Sequence, residues 1–176
     1  SGVVLLLNGI AVAPSQAQTV STGEVLQAAG TLPLAIEVNQ RGAIEAVGKL
    51  AVDGLITLRD GSVRAVAPDA IELKSSGSLG GAGAVHGKFL GGIGSQINIG
   101  SGVLQIGDAT QAEAMKHDGS VRVAAGGVLE ALSQDKASFG GQIDLAGGQI
   151  NMETGKVAEL KSSGSLGGAG AVHGKF

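Results

Sequence analysis

The chain contains no cysteine, no tryptophan and no tyrosine, with only three phenylalanines and three prolines in 176 residues. Without cysteine there is neither a disulfide framework nor a thiolate metal site. The compartment stays open on that ground, because a reduced cytosol and export of an unfolded chain both suit a cysteine-free sequence. Charge is scarce too: Asp, Glu, Lys and Arg make up 15% of residues, against the usual quarter, and the formal net charge is −3. Lys and Arg occur singly. With no basic stripe and no stacking aromatics, nucleic acid is excluded as a partner.

What remains is aliphatic and small. Hydrophobic residues make up 43% of the chain and there are 32 glycines, so the core is built from Val, Ile, Leu and Ala and suits a narrow interior. Disordered chains show the opposite balance, few aliphatics and high net charge. Residues Glu72–Phe89 read ELKSSGSLGGAGAVHGKF, and Glu159–Phe176 repeat the same letters 87 residues later. Internal duplication or deliberate copying accounts for a block of this length, and a repeat of that kind bears on the whole architecture.

A shorter pattern runs through the chain: an aliphatic-x-aliphatic triplet, a Gly-containing corner, then a second alternating pair. Ile36-Glu37-Val38 leads through Gly42 to Ile44 and Ala46, and Ile56-Thr57-Leu58 through Gly61 to Val63 and Ala65. Ile71-Glu72-Leu73 leads through Gly77 to Leu79. Ile97-Asn98-Ile99, Val121-Arg122-Val123 and Ile143-Asp144-Leu145 turn at Gly102, Gly127 and Gly148. Period-two alternation places the aliphatics on one strand face and the polar spacers on the other. Glycine supplies the positive φ that sharp corners need.

Pattern starts at Ile10, Ile36, Ile56 and Ile71 are matched by Ile97, Val121, Ile143 and Ala158, and both sets span 61 residues. Four units of about 22 residues then fill each copy, which suits one coil of a β-solenoid. The expected fold is all-β: a parallel β-solenoid of about eight coils. It is divided into capping strands or a first coil (1–30), a first repeat copy (31–89) and a second (90–176). A β-sandwich also uses short alternating strands, but it has no reason to carry an 87-residue duplication. Ala109–His117, the longest helical candidate, reads as a loop or a single turn. The N-terminal VVLLL-NG-IAVA reads as an edge or capping hairpin on a two-residue turn. The competing reading is the end of a signal peptide, although no basic region precedes the apolar run.

The strings GAIEAVGKLAVDGLITLRDGSVRA, GSVRVAAGGVLEAL and GGQIDLAGGQINMETGKVAELKSSGSLGGAG resemble the repeat region of filamentous haemagglutinin-type adhesins. These are exported by two-partner secretion and are akin to autotransporter passengers. The resemblance covers about residues 36–176 and implies a right-handed parallel β-helix, a secreted or cell-surface location, and a role in attachment or biofilm. Implied partners are a host cell-surface protein or glycan, other adhesin chains, and an outer-membrane transporter during secretion. Bactofilins, cytoskeletal β-helical filament proteins, use similar grammar. A polysaccharide-active β-helix enzyme is a third alternative.

No catalytic, cofactor-binding or metal-binding residue is proposed from the sequence. Ala82–Phe89 and its copy end Gly-Lys-Phe, so the phosphate-loop pattern loses its hydroxyl-bearing magnesium ligand. His86 and His173 occupy matching positions about 20 Å apart if four coils separate them, too far to share a metal, and His117 stands elsewhere. Asp53, Asp60, Asp69, Asp108, Asp118 and Asp144 are spread through turns, where Asp bonds its own backbone. A β-helix lyase would instead gather several carboxylates and a basic residue on one coil. The last expectation concerns the ends. Leu90 follows Phe89 directly, whereas the second block has no such cover, so the fragment is expected either to associate end to end or to be unstable alone as a piece cut from a longer shaft.

Overall fold

The computed structural model describes residues 4–13, 16–65, 70–153 and 156–175, and among them there is no helix. Strands β1 (Val4–Leu7) and β2 (Ile10–Ala11) form a hairpin. Next come β3 (Gln18–Val20), β4 (Val25–Leu32), β5 (Ile36–Asn39), β6 (Ala43–Val52) and β7 (Leu55–Ala65). Strands β8 (Ala70–Leu73), β9 (Ser78–His86), β10 (Lys88–Gly91), β11 (Gln96–Ile99), β12 (Gly102–Asp108) and β13 (Met115–His117) continue the chain. The last are β14 (Ser120–Ala124), β15 (Gly127–Ser133), β16 (Lys136–Phe139), β17 (Gln142–Met152), β18 (Val157–Leu160) and β19 (Ser165–His173).

From β3 onward every pairing is parallel and joins a strand to the one a coil away. This is a β-solenoid of about seven turns, in agreement with the expected fold. Its interior is a set of aliphatic columns. On the first face Ile36, Ile56, Leu79, Ile97, Val121, Ile143 and Leu166 stack one above another. On the second, Leu26, Ile44, Val63, Val85, Ile106, Ala131 and Met152 do the same. Each coil buries its apolar row only because the next coil covers it, so neither face would be stable alone.

Each coil contains three strands, where the sequence suggested a bent pair. The third face is made by the C-terminal parts of β4 and β6 and then by β8, β10, β13, β16 and β18. One of its columns runs Leu50, Ile71, Phe89, Met115, Ala137 and Ala158. Triplets such as Phe89-Leu90-Gly91, Met115-Lys116-His117 and Ala137-Ser138-Phe139 do not read as aliphatic alternation. They escape the pattern because aromatic, thioether and small residues share the work of filling this side.

The phase of the repeat shifts accordingly. Ile71 and Ala158 lie on the third face, and the matching first-face positions are Leu79 and Leu166. Ile10 belongs to the hairpin and is 72% exposed. Coil length runs from 18 residues (Leu79 to Ile97) to 24 (Ile97 to Val121), the longest carrying the turns after Asp108. The hairpin expected around Asn8-Gly9 is present, with Asn8 at φ 49° and Gly9 at φ 84°. Strand β1 lies antiparallel on β4, and among the described residues no other strand of the rod is approached in that sense. Asn8 Oδ1 accepts from the Val25 amide at 3.0 Å and fixes the hairpin to the first coil.

Gly42, Gly61, Gly102, Gly127 and Gly148 all sit where the first face turns into the second, while Gly77 sits where the third turns into the first. At Gly61 a Cβ would come within 2.6 Å of the Val38 carbonyl oxygen in the coil below. Coils stack too closely there for any side chain.

Candidate binding surfaces

The phosphate-loop look-alike is a strand. Ala82–His86 lies within β9 and Lys88-Phe89 begins β10. Its backbone is engaged by the neighbouring coils, with Ala84 opposite both Ser62 and Gln105. Phe89 is buried between Ile71 and Met115. A phosphate loop presents free amides at a helix N-terminus, and the described residues of the block form no helix.

Outward residues make ladders of their own. On the first face Arg122 donates to Asp144 at 2.6 Å from one coil to the next. On the second, Gln105 donates to Glu130 at 2.8 Å. On the third, Lys136 bridges Glu159 at 3.3 Å and Glu113 at 3.7 Å, and Glu159 is the main reason its ammonium pKa rises. Partial burial pushes the Glu72 carboxyl up, but Lys49 and Lys74, each at 3.2 Å, more than offset this and hold it below its ordinary value.

The Asp residues singled out in the sequence do not converge where they are described. Asp108 accepts from the Thr110 hydroxyl at 2.6 Å and the Thr110 amide at 2.8 Å; these bonds lower its pKa and tie the loop after β12. Asp53 accepts from Ser76 at 3.2 Å, and Asp60 holds a corner at φ 63°. Asp69 and Phe176 lie outside the described residues. Asp118 accepts from Lys161 at 2.9 Å, an ion pair that reaches across two coils. It passes over Gly140, where a Cβ would overlap Asp118 Oδ1. Among the described residues no three His, Cys, Asp or Glu side chains are grouped as a metal site.

The histidines separate by environment. His86 and His173 end β9 and β19 and are exposed. His117 is completely buried in the third-face column Leu73, Gly91, His117, Phe139, Leu160. Its Nε2–H donates to the Ser120 carbonyl at 2.9 Å, while Nδ1 is buried without a partner. Desolvation is the main cause that lowers its pKa. Gly91 supplies the space for the ring, because a Cβ there would overlap Nδ1. Sequence reading separated His117 from the other two but gave it no role; its signal was the column position shared with Phe139.

The last first-face and second-face strand, β19, leaves apolar surface uncovered. Leu79 is 3% exposed, whereas Leu166, its copy, is 39% exposed. A depression of about 400 Å³ there is lined by Leu145, Leu166, Gly167, Gly168, Gly170 and Val172. Val47 lines a second apolar depression, of about 230 Å³, with Leu6, Ala28 and Ala29, whereas Ile93 and Val103 are exposed singly.

No family model, no curated protein and no solved structure matches this chain.

Proposed function

We propose that the chain is a non-enzymatic structural and adhesive segment of a secreted bacterial surface adhesin. The supporting observation is the placement of the identical block. Copies 87 residues apart fall on equivalent strands of the coil, β9 and β19, four coils apart. At about 4.8 Å per coil the copies are roughly 19 Å apart along the rod. A shaft can therefore be lengthened by copying four coils without altering the pattern of its sides. Such a shaft holds a binding region away from the cell, and its partners are a host surface protein or glycan and other adhesin chains. A cysteine-free chain with short coils also suits passage through an outer-membrane transporter before folding, since no disulfide must form afterwards.

An antibody raised against the folded rod tests this on intact cells of the source organism. Surface labelling that disappears after mild external protease is the expected result. Recovery from the cytoplasm alone would reject the adhesin in favour of a bactofilin-like filament protein. Release of reducing ends from a polysaccharide by the purified rod would instead support the carbohydrate-active reading.

A further inference from the structure

Asn8-Gly9 is the one Asn-Gly pair in the chain, and it does more than turn the hairpin. Both residues are exposed and hold left-handed backbone, at φ 49° and 84°. The Asn8 side chain meets the first coil with both of its polar atoms. Nδ2 donates to Glu24 Oε2 at 3.1 Å, and Oδ1 accepts from the Val25 amide at 3.0 Å. Glu24 is itself held, because its Oε1 accepts from the Ser21 amide at 2.8 Å. The Asn8 backbone N–H donates to the Val25 carbonyl at 2.9 Å. One residue thus clasps the hairpin to the coil, with Leu5 buried in the core beside it. The remaining asparagines, Asn39, Asn98 and Asn151, precede Gln40, Ile99 and Met152, whose side chains shield the backbone nitrogen that follows each amide.

We propose that Asn8 is a self-modification site, whose reaction with Gly9 makes the clasp on the first coil a one-way latch. The Gly9 backbone nitrogen bonds to Asn8 Cγ, the Cγ–Nδ2 bond breaks, and Nδ2 leaves as ammonia with the Gly9 amide proton. Water then opens the five-membered imide at either carbonyl, leaving aspartate or isoaspartate. No oxidant, reductant or second protein takes part. Gly9 favours the attack because it has no Cβ to shield its nitrogen. Docking opposes it, since Cγ cannot swing toward that nitrogen while Nδ2 and Oδ1 are both held on the coil. The reaction therefore runs from the undocked hairpin.

Neither product remakes the clasp. Aspartate has no N–H for Glu24 and sets a carboxylate oxygen where Nδ2 stood, 3.1 Å from Glu24 Oε2. The Ser21 amide keeps Glu24 in place, so two anions face each other, although solvent and salt screen part of the repulsion at this exposed site. Isoaspartate goes further. It adds a carbon to the backbone of a two-residue turn, so Leu7 cannot stay opposite both Ile10 and Leu26. The latch is independent of the adhesin reading and of anything the rod binds.

The full 176-residue chain is incubated in mildly alkaline buffer, folded and in urea, and the change from amide to acid is read by peptide mass mapping. In urea Asn8 should convert ahead of Asn39, Asn98 and Asn151. Folding should slow Asn8 at least about tenfold, because conversion waits on local undocking. Glu24→Ala removes the acceptor of Nδ2 and should speed conversion of the folded chain at least about threefold, with no change in urea. In the converted chain, amide exchange of residues 5–7 should quicken at least about tenfold while residues 97–99 stay slow. The inference is overturned if Asn8 does not convert in urea, or converts as fast folded as unfolded. It is equally overturned if Glu24→Ala leaves the folded rate unchanged, or if residues 5–7 exchange as slowly after conversion as before.

Discussion

His117 and Gly91 are best understood as a single packing unit. Two side-chain-bearing residues at these stacked positions would collide, and the fold resolves this by giving one of them no side chain. Gly91→Ala should lower stability by about 1–3 kcal/mol, the usual cost of overfilling a packed core. The urea midpoint measures it, and the loss should shrink when His117→Ala is combined with it. Burial also sets a pH dependence. The folded state lowers the His117 pKa from 6.5, chiefly by desolvation, so the unfolded chain takes up the proton more readily. The neutral ring's contribution is therefore full above pH 6.5 and is lost as pH falls from there toward the lowered folded value. Unfolding midpoints measured from pH 7 downward should fall more steeply for the wild type than for His117→Phe.

At the scale of the strand, the sequence exposes two sides of each coil and, apart from Ile71-Glu72-Leu73, hides the third. The column Ile36, Ile56, Leu79, Ile97, Val121 and Ile143 is aliphatic throughout, and each member begins an alternating strand, so periodicity finds it directly. The third-face column Ile71, Phe89, Met115, Ala137, Ala158 keeps its interior filled while changing shape at nearly every step. No window of one strand reveals it, because the complementarity runs between coils 18 to 26 residues apart in sequence. The same cause hid the Asp118–Gly140–Lys161 arrangement, whose members meet only once the coil lengths are known. Phe89→Ala should cost about 3–5 kcal/mol, as for other buried aromatic truncations. Asp118→Ala should cost no more than about 1 kcal/mol, since both partners are more than a third exposed, and that cost should vanish in high salt. Paired urea titrations at low and high ionic strength separate the two.

Across the whole molecule, the ladder bonds between coils run along the rod and the strands run across it. A pull on the two ends of such a rod unzips the bonds of an end coil one after another, whereas an interior interface carries the same tension on a whole ladder at once, so coils peel from the ends. Each release frees one coil of 18 to 24 residues, or about 60–85 Å of extended chain. Single-molecule extension should give a staircase with unequal treads, the widest belonging to the coil that carries the loop after Asp108. The tie between Asp118 and Lys161 crosses an intervening coil, so it should raise the force of the step there only slightly, and Lys161→Ala should remove that small increment. Stretched, the rod would yield in small instalments and re-wind when slack returns, taking up tension as a spring-loaded tether does.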